Sequence, residues 1–498
     1  MKKILLLLII SALVMTSACS DTTSGGNADV TTTAVSADPT GETVGDSGET
    51  LRSQVKDSLP DDIDFGGAVI RILGRDDGLG LATEIAAAEN TGDVVEDAVY
   101  RRNITVEERL NVVIQPQYVN QNVHGGDQIN SLVRKSVLAG DDLYDIAANH
   151  MSQFTPLILE GCFLNLNNLD YIDFDQPWWN HSFKEQITVD GKLYFAVGDL
   201  SLTMTKAMYT AFINLNLFES NFPGENIYDV VLSDNWTIAK MQEYCKAMYN
   251  DLNGNGTADV DDQFGYIVGK GGIHCDAMLG AANVNIIDST GDTPVFVLDS
   301  ERTYNFVDVY QSLLYNDNCT WLTTDSEDKF IQHFKDGRGL FTNFLLSNTE
   351  GYRDMEDDYG MLPLPKLDEA QPEYTGWTHN GFSAFAVIGT TAQGDTAAAV
   401  LEALCAESYR YVTEAYFDVA LKVKYARDDI SSQMLDLIQQ SLIFDFGMVY
   451  SQSLESVMQM FRDVANGADF NTASKIAAKL KISQTKLDTL LEKFSALE

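Results

Sequence analysis

Positive charge is what this sequence most lacks. Over 498 residues, 33 Lys and Arg stand against 73 Asp and Glu, a formal net charge of −40. A surface of that sign repels phosphate backbones and anionic lipid headgroups, because the attraction behind non-specific nucleic-acid binding is reversed. Nucleic acid is therefore excluded as a partner. Cysteine is scarce too: there are six, none in a CxxC pair or beside a ligand-spaced histidine, so neither a zinc site nor a thioredoxin-like redox centre is supported. After residue 15 no apolar run approaches the ~20 residues that span a bilayer, so the mature chain is expected to have no transmembrane helix. GxSxG, HExxH, Walker and dinucleotide-binding signatures are missing as well.

What is present is globular composition, 45% hydrophobic and 10% aromatic, ample for buried cores in two to four domains. Lys2 and Lys3 precede an apolar stretch at 4–15, and Thr16, Ser17, Ala18 and Cys19 follow it. Residues 1–18 read as a signal peptide. The small residues before Cys19 resemble a bacterial lipobox, with Thr16 where Leu is usual, so the Cys19 thiol is expected to carry a lipid anchor. Residues 19–62, rich in Thr, Ser, Gly and Asp, bury too little to fold and read as a flexible tether. The other cysteines, Cys162, Cys245, Cys275, Cys319 and Cys405, are odd in number and expected as buried reduced thiols.

Order is expected from the β-branched run at 68–73, which ends in Gly74, Arg75, Asp76, Asp77 and Gly78. Helical patterning at 81–110, a strand at 111–119, a helix at 128–138 and a strand at 143–148 follow. That alternation predicts an α/β fold with a mostly parallel sheet and ligand sites in loops at the carboxyl ends of strands. Asp190 and Gly191 between 187–189 and 193–197 predict a hairpin. Apolar stripes at 241–248, 401–415 and 476–494 predict amphipathic helices.

Several stretches, in this order and spacing, resemble the extracellular solute-binding proteins of carbohydrate ABC transporters, the maltose-binding-like group, in the lipoprotein form common in gut Firmicutes. They are YDIAANH at 144–150, GCFLNLNNLDYID at 161–173, PWWN at 177–180, GKLYFAVGD at 191–199, NWT at 235–237, DYGMLPLPKLDEAQPEY at 358–374 and KYARDDISSQMLDLI at 424–438. The resemblance implies a two-lobed, periplasmic-binding-protein-like α/β fold with hinge crossovers and an interlobe cleft. It puts lobe 1 at 63–198 plus 359–414 and lobe 2 at 199–358 plus 415–498, with crossovers near 197–201, 352–360 and Ala415. It implies a monomer held outside the cell at the membrane face, handing a sugar or oligosaccharide to an ABC permease. The family's ligand contacts map onto His150, Asp199, His274, Asn343, Phe344 and Trp377. Trp377, flanked by small and polar residues, is expected to stack on a pyranose while Asp199 and Asn343 take hydroxyl hydrogen bonds.

A second feature is DLNGNGTADVDD at 251–262. Asp251, Asn253, Asn255, Asp259 and Asp262 fall at positions 1, 3, 5, 9 and 12 of an EF-hand-type loop, the Thr257 carbonyl at position 7 and Gly256 at the sharp turn. A structural Ca²⁺ is expected, with a solvated Asn-Gly turn as the plain alternative. Two rival functions remain open. One is a binding protein for a peptide, polyamine or other non-sugar solute on the same scaffold. The other is a surface glycosidase using paired carboxylates, although acidic pairs such as Asp76–Asp77 and Asp357–Asp358 read most simply as solvated loops.

Overall fold

The computed structural model describes residues 52–498 apart from 77–80, 121–126, 292, 324–326, 418–420, 422–428, 466, 468–471 and 498. The expected signal peptide, Cys19 and the tether up to residue 51 lie outside the described residues, as does part of the KYARDD stretch.

Eleven strands are described: β1 (Ala68–Asp76), β2 (Val112–Asn120), β3 (Ile146–His150), β4 (Tyr209–Asn214), β5 (Phe264–Gly269), β6 (Ile287–Asp288), β7 (Val295–Phe296), β8 (Thr320–Thr323), β9 (Gly339–Leu345), β10 (Tyr359–Leu362) and β11 (Ser383–Val387). The first sheet has the order β11-β3-β1-β2. β1 runs parallel to β2, with Ala68 opposite Val112, and to β3, with Ile72 opposite Ile146, while β11 returns antiparallel and sets Ser383 opposite His150. Such a sheet has helices on its faces, so its central strands are apolar throughout: Ile70, Ile72, Leu73, Ile146 and Ala147 are all buried. Between β1 and β2 lies the helix Val94–Leu110, capped by the Asp93 carboxylate on the amides of Val95 and Glu96.

The second sheet has the order β10-β4-β9-β5-β8. β5 is parallel to β8 and β9, and β4 is antiparallel to β9 and β10. Because β10 pairs Met361 with Phe212 of β4, the segment around 359 belongs with the second sheet. That corrects the expected boundary, which gave it to the first lobe. The chain returns later, at 376–380, after the run of prolines and turns that follows β10.

Three crossing segments lie side by side. Met208 bridges Thr378, the Tyr209 N–H donates to the Trp377 carbonyl (3.1 Å) and the His379 N–H to the Ala207 carbonyl (2.9 Å). On the other side Gly376 bridges Leu442, with N–H···O bonds of 2.8 and 2.9 Å through Ser441 and Ile443. The third expected crossover, near Ala415, borders residues outside the described ones, and the crossing segment described on this side is 441–443. Beyond it the chain packs back on the first side, where the Phe444 ring lies 5.0 Å from Phe183 and 5.8 Å from Phe382. The expected assignment of all of 415–498 to the second lobe is corrected accordingly. The last helix, Thr472–Ala496, touches both the helix Met151–Leu159 and the helix Glu301–Tyr315.

Two local expectations also change. The hairpin at 187–197 shrinks to a single bridge between Val189 and Lys192, because Ile187 ends a helix, His181–Ile187. Asp190 and Gly191 do take the positive φ values, 50° and 72°, that the turn requires. Order also begins before residue 63. Leu59 is buried, and the Asp57 carboxylate receives Arg109 (2.7 Å) and Arg410 (2.9 Å), which fastens residues 52–62 to the folded body. The five cysteines described are buried free thiols.

Burial works against the Asp57 charge, but the two guanidiniums outweigh it and hold its carboxyl at about 2, below the ordinary 3.8. The stabilisation is complete above pH 3.8 and disappears as pH falls through about 2. Asp57→Asn is expected to cost about 1–2 kcal/mol at pH 7, and the gap from wild type should close across that acid window. Urea midpoints at pH 7, 4 and 2.5 measure both.

Candidate functional site

The carboxyl ends of β1 and β3 and the amino end of β11 meet at one place in the first sheet. Arg75, near the end of β1, donates to the Gly381 carbonyl (3.2 Å). His150 ends β3 and shares a 2.9 Å hydrogen bond with the Ser152 hydroxyl through Nδ1. His379 accepts the Gly381 N–H at Nδ1 (3.2 Å). A Cβ on Gly381 would lie 2.8 Å from His379 Nδ1 and 3.3 Å from His150 Nε2, so glycine is what lets the two imidazoles approach. Next to them Glu84, 1% exposed, receives the N–H (3.0 Å) and hydroxyl (2.8 Å) of Thr203 on Oε2, while Oε1 has no partner. Burial raises its pKa, against the opposing pull of Thr203, Ser383 and Arg75.

The facing wall comes from the second sheet. β5 runs into Lys270 and Gly271 and then the helix Gly272–Ala281, whose first turn has no side-chain cap. Arg462, from the helix Val457–Ala465, lies over Gly272 and grips Asp276 with two nitrogens, Nε at 2.8 Å. Burial lifts the Asp276 carboxyl to about 6 despite that grip. Lys270, Gly272, Gln459 and Arg462 border a cavity of about 340 Å³. Tyr209, at the start of β4, has its ring 6.5 Å from His379, and burial above all, with the Asp276 charge behind it, raises its phenol pKa. Among the described residues no three His, Cys, Asp or Glu side chains are grouped to hold a metal. A larger groove, about 770 Å³, lies by Phe218, Tyr359 and Asp357, at the end of the second sheet away from the crossovers.

No known family profile matches the chain, and no curated protein does. Solved structures do match. A cyclo/maltodextrin-binding protein complexed with maltotetraose is 13% identical, over 85% of this chain and 98% of that one, with a TM-score of 0.57. The galacto-N-biose/lacto-N-biose I-binding protein of an ABC transporter from Bifidobacterium longum gives 14%, 85%, 98% and 0.57. A family 1 extracellular solute-binding protein from Bifidobacterium longum subsp. infantis gives 15%, 84%, 100% and 0.54. The fold is that of the two-lobed solute-binding proteins.

In that solute-binding fold the six expected contact residues fare differently. His150, 5% exposed, lies at the carboxyl end of its strand. Asp199 accepts a hydrogen bond from the Thr413 hydroxyl and borders a separate cavity of about 190 Å³ with Trp178, Met208 and Leu442. Desolvation raises its carboxyl to about 6. His274 is on the helix after the glycine-rich loop, buried between Phe330 (4.8 Å) and Phe344 (5.7 Å), with its pKa pushed down to about 4 by burial. Asn343 accepts the Tyr266 hydroxyl within the sheet, and Phe344 is core. Trp377 is 2% exposed, and its ring fills the space where a Cβ on Gly280 would sit, 2.5 Å from Cγ. This corrects the expectation of an open stacking ring. The small neighbours in sequence hid a helix that packs across from elsewhere in the chain.

Arg75, Glu84, Tyr209, His379, Gly381 and Arg462 were not singled out from sequence. The strand-end rule that selected His150 applies equally to Arg75, and His379 stands two residues from Trp377, on the same face of an extended segment. Nothing local marks Arg462. Trp377→Ala is expected to lower stability by about 3–5 kcal/mol, as a large aromatic lost from a core does. A fall in the urea midpoint of the unliganded protein checks it.

Proposed function

We propose that this chain is the substrate-binding lipoprotein of an ABC importer, a monomer that captures a sugar or oligosaccharide outside the cell and delivers it to a permease. The observation that carries the reading is the cleft: strand ends of two sheets face each other across three adjoining crossover segments. Such a hinge supports closure around a solute. Solved proteins of the same fold bind maltotetraose and lacto-N-biose. Capture and release without turnover is the activity proposed. Cys19 is the proposed lipid attachment point on the outer membrane face, and residues between it and Arg52 serve as the tether.

Thermal-shift screening of the mature chain against mono- and oligosaccharides, peptides and polyamines tests the reading. A sugar at ~100 times its Kd should add about 2.7 kcal/mol to folded-state stability. Stabilisation by peptides or polyamines alone would replace the sugar reading, and hydrolysis of a glycan by the purified protein would replace binding with catalysis.

The proposal includes a structural Ca²⁺ in the 251–262 loop. Asp251 is turned inward, accepting the amides of Gly254 (2.7 Å) and Gly256 (2.8 Å), and Asp262 is fully buried beneath, accepting those of Leu252 and Asp259. The donors are all oxygen, as a hard cation prefers. Asn253 and Asn255 direct amide nitrogens at Asp259, so binding exchanges those hydrogen bonds for coordination by Asp251, Asn253, Asn255, the Thr257 carbonyl, Asp259 and Asp262. Calorimetry is expected to show a lower melting temperature in excess chelator and recovery with added Ca²⁺. An unchanged transition would leave the loop as a hydrogen-bonded turn.

A further inference from the structure

The cavity of about 190 Å³ beside Asp199 lies among the crossing segments, and none of Arg75, His150 and His379 lines it. Its walls come from the PWWN corner, the start of the first crossover, residue 413 and the crossing at 439–442. Met208 and Leu442, which both border it, belong to the outer two of the three crossing segments. Trp178 and Trp179 contribute apolar surface, because their indole N–H groups are used on Glu402 at 3.1 and 2.7 Å.

Polar side chains line the same space with hydrogen-bonding capacity to spare. Asp199 is held in place by its backbone N–H on the Trp178 carbonyl (2.9 Å). One of its carboxylate oxygens accepts the Thr413 hydroxyl, and the other has no hydrogen-bond partner among the described residues. Asn180 spends Oδ1 on the Phe183 N–H (2.8 Å), which leaves its Nδ2 hydrogens without a described partner. Thr205, 9% exposed, and the half-buried Gln439 make no side-chain hydrogen bond among the described residues. Polar groups withdrawn from bulk water cost free energy unless trapped water or a ligand pairs them.

The pattern of donors and acceptors selects the ligand class. Asp199 is the only charged side chain lining the cavity among the described residues, so an anion is repelled there. An ammonium group suits Asp199 but offers no acceptor to the Asn180 Nδ2 hydrogens, whereas a hydroxyl both donates and accepts. At ~30 Å³ per water, about 190 Å³ holds about six waters, room for one small polyol or monosaccharide and not for a chain of sugars. We propose that this hinge cavity is a second binding site, for a neutral polyhydroxylated molecule no larger than one sugar unit, with Asp199 accepting from its hydroxyls and Asn180 and Gln439 completing their pairing. The site is separate from the strand-end cleft and does not rest on the oligosaccharide reading above. A molecule seated there touches both outer crossings, so a difference in its contacts between open and closed forms shifts the hinge.

Isothermal titration of the mature chain with glycerol, myo-inositol, sorbitol, glucose and galactose tests the site. At least one probe is expected to bind wild type and to bind Asp199→Asn ~10-fold or more weakly, since that change turns a free acceptor into a donor while leaving an oxygen for Thr413. Gln439→Leu, at a half-buried helix position, is expected to weaken the same probe by ~10-fold, and it carries the test if Asp199→Asn does not fold. Urea midpoints show which variants are folded. No binding of any probe to wild type leaves the cavity a hydrated gap in the hinge and overturns the proposal. A probe that binds wild type and the folded variants equally is seated elsewhere, which also overturns it. Sugar capture in the cleft is decided separately, by the oligosaccharides that this cavity is too small to hold.

Discussion

The crossovers constrain everything else in this molecule. Among the described residues, three segments of chain pass side by side between the two sheets, and each carries backbone N–H and C=O groups that cost free energy if buried unpaired. The chain resolves this by pairing the crossovers with one another: 207–209 with 377–379 on one side, and Gly376 with 441–443 on the other. A ribbon of so few hydrogen bonds is continuous enough to fix register and slender enough to bend. Because its register is fixed, so are the side chains it presents. Trp377 and His379 share one face, and the packing of Trp377 on Gly280 anchors that face against the helix Gly272–Ala281.

That anchoring explains what the sequence could and could not disclose. The sequence placed a crossover near 352–360 and not at Trp377, and the small, polar neighbours of the tryptophan said nothing of the helix it packs on. Whether a ring there is open or covered depends on a glycine almost a hundred residues earlier, which no local pattern reports. The same limit applies to Asn343, Phe344 and His274. Each is close to a strand end or loop, yet each is sealed by partners from other elements: Tyr266, Phe330 and one another.

Three strands of the first sheet, β1, β2 and β3, were legible, the first as a continuous β-branched run at 68–73, while β11 was not singled out. The lobe boundary was less so. β10 is four residues long and antiparallel to its neighbour, and its sequence, YGML, carries no mark of which sheet it will join. The start of order was misplaced for an electrostatic reason. Residues 52–62 have too little apolar surface to fold alone, but Asp57 finds two arginines, one from the helix Val94–Leu110 and one from the π-helical segment Ser408–Val412 that continues the helix Gly394–Glu407. Long-range ion pairs of that kind leave no periodicity to read.

The distribution of charge follows from the same architecture. Acidic side chains on an exterior cost little, since water and salt screen them, and they favour solubility. A base at a strand end in the waist is different. It is desolvated, as Arg75 is at 2% exposure, so it persists only where surrounding dipoles, a carbonyl such as that of Gly381, or a ligand charge compensate it. A solute that interacts with both walls at once stabilises the closed state over the open one, and only that difference in affinity can drive the hinge. The waist therefore decides which polar groups are buried where the two sheets meet, and each of those groups must be compensated there.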